Sequence, residues 1–135
     1  MPVFENTEHM YGILSSLFEM LADDEVVGKK YNDENINLQF VINDPDGQIW
    51  LMHGDEKPVV ALGDQDIEAD IVMWIAGDDC HLFWLQQLKL PVALAKKKVR
   101  AKGPMSKILG LLPMLKPAYD AYPGICKEKN LPLEL

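Results

Sequence analysis

The spacing of apolar residues changes from a helical to a strand period near residue 35, and that change limits the folds this chain can adopt. Between Thr7 and Ala22 apolar residues recur at intervals of three and four, which predicts an amphipathic helix, and a short second helix follows through Lys30. From Asn35 onward, apolar and polar residues alternate, which predicts a half-buried strand. Helical and strand patterns in separate blocks indicate an α+β domain.

Three short strands and two tight turns are predicted in succession. The Asp-Pro-Asp-Gly turn at 44–47 separates the first strand from a second at 48–53, and another turn leads to a third at 58–62. This spacing predicts an antiparallel meander. A fourth strand at 69–76 is apolar on both faces and should lie inside the sheet, whereas the basic stretch 97–102 predicts a fifth strand at an edge.

Helices are predicted on either side of the fifth strand. One runs from about Asp79 to Leu88, with a further helical turn at 91–95. The region 105–116 then carries apolar residues over more than half of its helical circumference, which exceeds the stripe of an ordinary surface helix. Pro113 and Pro117 should kink or divide it before a last helix at 118–129. Residues 1–135 are therefore expected to form one domain.

The charge of the chain argues against one class of partner and points to another. With 13 basic and 21 acidic residues, the net charge is −8, which argues against nucleic-acid binding. Seven bases and no acid nevertheless lie between Lys89 and Lys107. Such a stretch is typical of a solvated edge strand protected against aggregation, and also of a surface for anionic lipid headgroups or an acidic partner.

Sequence signals of location indicate a cytoplasmic protein. Cys80 and Cys126 are the only cysteines and lack metal-binding or disulfide-framework spacing, so we expect reduced thiols. The N-terminal residues do not show the pattern of a signal peptide, and no apolar stretch reaches the length of a membrane span. The terminal residues Leu133-Glu134-Leu135 do not form a peroxisomal address.

Motifs for catalysis, metals or cofactors are not found, so we expect a non-enzymatic protein without a cofactor. Asp78, Asp79, Cys80 and His81 are consecutive and would point in different directions from a helix, unlike metal ligands three or four residues apart. No serine lies in a nucleophile elbow, and there is no glycine-rich phosphate loop. Two alternatives stay open: a protein-interaction or dimerisation module that uses the apolar face, and an accessory role on acyl-thioester substrates.

Four segments, taken in order, resemble the sterol carrier protein 2 family over nearly the whole chain. They are the first helix and meander with Gly47-Gln48-Ile49-Trp50; Gly63 with the strand 68–73; the helix opened by Asp78-Asp79; and residues 91–103, a proline, an apolar turn and a basic strand ending in glycine. The resemblance implies a five-stranded mixed sheet covered by helices on one face. It also implies a hydrophobic tunnel between them for fatty acids, fatty acyl-CoA or sterols. Lys96 or Lys97 departs from the family by replacing a frequent glycine, and the peroxisomal signal of some members is absent.

A surplus of apolar side chains predicts which residues would contact such a ligand. Burying an acyl chain gains about 0.8 kcal/mol per methylene, and Met side chains adapt to irregular shapes. Each residue alone fits an ordinary core, but the excess at 105–115 favours a guest molecule. The candidate apolar residues are Phe40, Ile42, Trp50, Leu51, Met52, Met73, Ile75, Phe83, Trp84, Met105, Ile108, Leu109, Leu112, Met114 and Leu115. The candidates for the mouth, where a headgroup would need a partner, are Tyr119, Tyr122, Lys98 and Arg100. We therefore expect binding or transfer of a lipid-like molecule, with the oligomeric state left open.

Overall fold

The computed structural model describes residues 2–134. Its helices and strands follow one another much as the periodicity of the sequence predicts. The first half contains α1 (Thr7–Asp23), α2 (Val27–Asp33), β1 (Leu38–Asn43), β2 (Gly47–Met52) and β3 (Val59–Leu62). The second half contains β4 (Ile71–Ala76), α3 (Gly77–Trp84), α4 (Leu90–Ala95), β5 (Val99–Lys102), α5 (Met105–Leu111), a 3-10 turn (Leu112–Leu115) and α6 (Lys116–Glu128). No helix in the described part of the chain is both long and apolar enough to cross a bilayer.

The five strands form one mixed sheet in the order β3-β2-β1-β4-β5. β1, β2 and β3 pair antiparallel, which confirms the meander, and β4 pairs with β1 in parallel. β5 pairs antiparallel with β4 and forms an edge, as its basic sequence predicts. The predicted α+β class and the five-stranded mixed sheet are therefore confirmed.

Strand register decides which side chains face the helices. Phe40 on β1 lies opposite Ile49 on β2 and Met73 on β4, and all three side chains are buried on the same face. The ring of Phe18 on α1 meets Phe40 edge-on with 5.5 Å between centroids, so this face carries the core. Because side chains alternate along a strand, Trp50 points to the outer face, where its indole N–H donates to the Gly63 carbonyl at 2.8 Å.

Among the boundaries that differ from the sequence prediction, three have local backbone reasons. α3 ends at Trp84 rather than near Leu88, because Gln86 adopts a left-handed conformation at φ 63°. β5 begins at Val99, because Lys97 is left-handed at φ 61° and breaks the extended backbone. β4 begins at Ile71, since at Asp70 the side-chain carboxylate, and not the backbone carbonyl, accepts from the Asn37 N–H at 2.8 Å, while the Asp70 N–H donates to the Asn37 carbonyl.

Proline explains the 3-10 turn between α5 and α6. Pro113 has no N–H to donate to the Leu109 carbonyl, and the Leu112 N–H donates there instead over the shorter interval. Pro117 likewise cannot reach the Pro113 carbonyl, which accepts from Lys116. The chain from Met105 to Glu128 is therefore two helices joined at a tightened turn, and the predicted division at these prolines is confirmed.

Candidate ligand-binding site

Two surface clefts and two inner voids lie in a row beneath α5 and the 3-10 turn. The front cleft, about 180 Å³, is lined by Phe83, Gln86, Leu88, Lys89, Leu90, Pro91, Leu112 and Tyr119. The rear cleft, about 190 Å³, is lined by Glu34, Ile36, Ser106, Lys107, Gly110, Leu111 and Met114. Between them lie a first void, about 20 Å³, and a second void, about 10 Å³.

Shared lining residues connect the four spaces into one path. Leu112 lines both the front cleft and the first void, and Leu115 lines both voids. Leu111 lines the first void, the second void and the rear cleft. The path therefore runs between sheet and helices, where the resemblance implies a tunnel, but it is interrupted by side chains.

The inner voids are much smaller than a ligand site. A cavity of about 10–15 Å³ holds one water at most, whereas sites for small molecules span about 300–1,000 Å³. At about 20 and 10 Å³, each void is at most one water in size. The interior is thus nearly closed, and a guest molecule requires the overlying elements to move.

The structure brings together about half of the predicted apolar residues along this path. The first void is lined by Phe40, Met73, Phe83, Ile108, Leu112 and Leu115, and the second by Leu51, Met114 and Leu115. Ile42 and Ile75 are buried on the same sheet face without lining a space. Trp84 is fully buried in an aromatic cluster with Phe18 and Phe40.

Four predicted residues lie away from the path. Trp50 and Met52 project from the outer face of β2, because they alternate with the inward-facing Leu51. Met105 and Leu109 lie on the solvent side of α5 and are 51% and 43% exposed. The sequence prediction assigned Trp50, Leu51 and Met52, which are consecutive on β2, to the same wall of the site, although consecutive strand residues point to opposite faces. It also assigned the solvent side of α5 to that site together with the buried side.

Of the four residues predicted at the mouth, the structure places only Tyr119 beside an opening, in the front cleft. Tyr122 is fully buried, and its hydroxyl lies 2.7 Å from Nδ1 of His81. Arg100 lies on the outer sheet face, 5.2 Å above the ring of Trp74. Lys98 is exposed in the turn before β5. These three residues therefore do not line the path.

Sequence analysis missed several residues at the two openings and in the path. Lys89 and Gln86 border the front cleft, and Lys107 borders the rear cleft opposite Glu34. Leu38, Leu90 and Leu111 line the voids, together with Tyr31. The alternation that singled out Phe40 and Ile42 also included Leu38, so that residue could have been predicted.

The titratable side chains of His81 and Cys80 are buried and neutral, and they belong to the core of the fold. His81 is fully buried, and its Nε2 lies 2.7 Å from the Pro132 carbonyl, which can only accept. Nε2 therefore carries the proton, and Nδ1 accepts from the Tyr122 hydroxyl. Burial lowers the pKa of His81 and raises the pKa of the Cys80 thiol to about 12, which leaves both groups neutral near pH 7. A neutral, enclosed thiol is a poor nucleophile.

Comparison with known proteins places this geometry in a fold. No family model and no curated protein matches the sequence. The apo form of sterol carrier protein 2 from Yarrowia lipolytica matches with a TM-score of 0.62 and 16% identity, over 78% of this chain and 89% of that one. The chain has the sterol carrier protein 2 fold. A ubiquinone synthesis protein, UbiJ-SCP2, shares this fold with a TM-score of 0.59 and 15% identity, over 81% and 89% of the two chains.

The same fold also occurs within a longer enzyme. A double mutant of the sec-alkyl sulfatase PisA1 matches with a TM-score of 0.64 and 19% identity over 74% of this chain. The match spans only 16% of the sulfatase. The sterol carrier protein 2 fold is therefore found both as nearly an entire chain and as a small part of a larger one, and at these identities the likeness concerns architecture alone.

Proposed function

We propose that this protein binds an elongated apolar molecule, such as a fatty acid, a fatty acyl thioester or a sterol-like lipid, without transforming it chemically. The row of clefts and voids beneath α5 carries the proposal, because it forms an apolar path between two openings. Solved structures named as sterol carrier proteins that share the fold support it.

Ligand entry requires α5 to move away from the sheet. Only Ile108 and Leu111 of this helix are buried, and Gly110 weakens its helical preference. The 3-10 turn that follows is joined to α6 where Pro113 and Pro117 remove helical hydrogen bonds, so a hinge is available. We therefore expect the path to widen by displacement of α5 while the sheet stays fixed.

The two openings suggest how a polar headgroup is received. Lys89 and the half-buried Tyr119 border the front cleft, where a cation and a phenol hydroxyl can meet a carboxylate. At the rear cleft, Lys107 is accompanied by the carboxylate of Glu34, which disfavours a second anion. The front cleft is thus the better place for an anionic headgroup, with the acyl chain extending toward Leu111.

A substitution that fills the path tests the proposal. Leu111→Trp adds bulk at the residue that lines both voids and the rear cleft, so uptake of a fluorescent fatty acid should fall at least tenfold. Leu109→Trp makes the same change two residues away, on the exposed side of the same helix, and should leave uptake near that of the wild type. Titration followed by fluorescence gives the Kd for each protein.

Native mass spectrometry of the same three proteins separates binding from surface adsorption. The wild type and Leu109→Trp should retain one ligand mass, and Leu111→Trp should lose it while keeping a cooperative thermal transition. Failure of the wild type to take up fatty acid, acyl-CoA or a sterol would contradict the proposal. Equal uptake by both tryptophan variants would place the ligand elsewhere, and a stable dimer without uptake would favour the interaction-module alternative.

A further inference from the structure

The segment from Lys89 to Lys107 contains no acidic residue, although the protein as a whole is acidic. All seven basic residues between 89 and 107 are exposed, and the other described residues hold the acids that give the chain its net charge of −8. The two ion pairs of the described residues join Lys57 to Asp23 and Lys116 to Asp120. Neither involves this stretch, so its positive charge is not neutralised within residues 2–134.

The basic stretch also exposes large apolar side chains. Val92 on α4 is 47% exposed, and Met105 and Leu109 on α5 are 51% and 43% exposed. α4 and α5 both border the first void, which Leu90 and Ile108 line from the inside. Lysines that surround partly exposed apolar side chains are typical of surfaces that lie at a lipid headgroup boundary.

We propose that α4, the turn after it and α5 dock on the surface of an anionic lipid bilayer. This docking surface comprises Lys89, Lys96, Lys97 and Lys98, with Val92, Met105 and Leu109 as its apolar part. Lys107 is not included, since it borders the rear cleft together with Glu34. Arg100 and Lys102 lie on the outer sheet face and are not included, since their strand partners there are Trp74 and Val72. An anionic bilayer attracts this surface and repels the acidic remainder, so charge alone orients the protein.

A bilayer fits this surface better than an acidic protein does. Its apolar side chains are few, with Met105 and Leu109 one helical turn apart on α5 and Val92 on α4, whereas the centre of a protein interface is a larger apolar area from which charged residues are depleted. Lys89 precedes α4 and Pro91 lies in its first turn, and both residues also border the front cleft. Docking would therefore bring that opening to the membrane. The docking does not depend on the proposed function, because it needs no molecule inside the fold.

Vesicle co-sedimentation of the ligand-free protein tests the docking. The protein should bind phosphatidylcholine vesicles containing about 30% phosphatidylserine at about 50 mM salt, and release them at about 500 mM. Replacing Lys96, Lys97 and Lys98 together by Gln should weaken this binding about 100-fold, since each lysine near an anionic surface contributes about fivefold. Replacing Lys29, Lys127 and Lys129 by Gln changes the net charge equally and should have little effect.

A second pair of double variants tests the apolar part of the docking surface. Met105→Ser with Leu109→Ser should weaken vesicle binding about fivefold for each residue, because about half of each side chain is free to be buried. Val59→Ser with Ile67→Ser changes residues of 48% and 45% exposure outside the surface and should not.

Several results would overturn the docking. These are no binding to anionic vesicles, equal binding to pure phosphatidylcholine, or equal loss in the two lysine variants. Uptake of fatty acid from solution by the variant with Gln at positions 96–98 distinguishes a failure of the docking proposal from a failure of the proposed function. That variant should take up ligand as the wild type does and lose only vesicle binding, because residues 96–98 line neither cleft nor void.

Discussion

Removing one buried hydroxyl tests how the C-terminal segment is held on the fold. Tyr122→Phe deletes the Oη atom that lies 2.7 Å from Nδ1 of His81 and leaves the aromatic ring in place. The other ring nitrogen donates to the Pro132 carbonyl at 2.7 Å, so His81 connects α6 to the residues that follow it. Both side chains are fully buried, so solvent does not contact the nitrogen that loses its donor.

The expected effect is about 2 kcal/mol of lost stability. A net hydrogen bond contributes about 1 kcal/mol, and an acceptor left unpaired in the interior adds a desolvation penalty, which gives a range of about 1–3 kcal/mol. The edge-on contact between the two rings, 5.4 Å between centroids, is unchanged by the substitution. For 135 residues, an unfolding entropy of about 2.1 cal/mol/K per residue converts 2 kcal/mol into a fall in Tm of about 7 °C.

Urea unfolding followed by circular dichroism measures this change. Tyr119→Phe is the matched control, because Tyr119 is half-buried and its hydroxyl makes no hydrogen bond to another described residue. The control should lie within about 0.5 kcal/mol of the wild type, with the same dependence on urea. Equal stability of the two variants would refute the reasoning that His81 depends on Tyr122 for its second hydrogen bond.

Two further predictions follow from groups whose partners are known. The folded pKa of His81 lies below its ordinary 6.5, so the unfolded chain binds a proton first as pH falls. The free energy of unfolding should therefore fall below about pH 6.5, by at most about 1.4 kcal/mol per pH unit. His81→Gln should remove this component, as measured by urea titrations at several pH values. Asn6→Ala should lower stability by about 1 kcal/mol, because the Asn6 side chain accepts from the His9 N–H at the start of α1, and Asn6→Asp should retain most of it.

The sequence was sufficient to predict the elements and the inward face of the central strands. Period-two alternation placed Phe40 and Ile42 on one face, and the register with β4 confirms that Met73 and Ile75 lie beside them. The signal was strong there because a buried strand has only two orientations. The resemblance to the sterol carrier protein 2 family rested on the order of the elements rather than on any single motif.

The candidate site was harder to predict, because it depends on which side of each element meets another. Trp50 is as apolar and as buried as its neighbour Leu51, but a loop after β3 covers it on the outer face. Leu109 and Leu111 are identical residues two positions apart on α5, and only their packing shows that one is exposed and the other buried. Tyr122 became a core residue because His81, 41 positions away, pairs with it.

A nearly closed interior is compatible with lipid binding once the energies of opening are compared. Full burial of a large apolar side chain is worth about 1.5–3 kcal/mol, so exposing Ile108 and Leu111 costs about 3–6 kcal/mol, whereas α1 would expose seven buried residues. An acyl chain of about 16 carbons gains about 12 kcal/mol on burial at about 0.8 kcal/mol per methylene. The guest also covers the side chains that α5 uncovers. Opening at α5 is therefore much less costly than opening at α1, and the gain from burying the guest exceeds that cost.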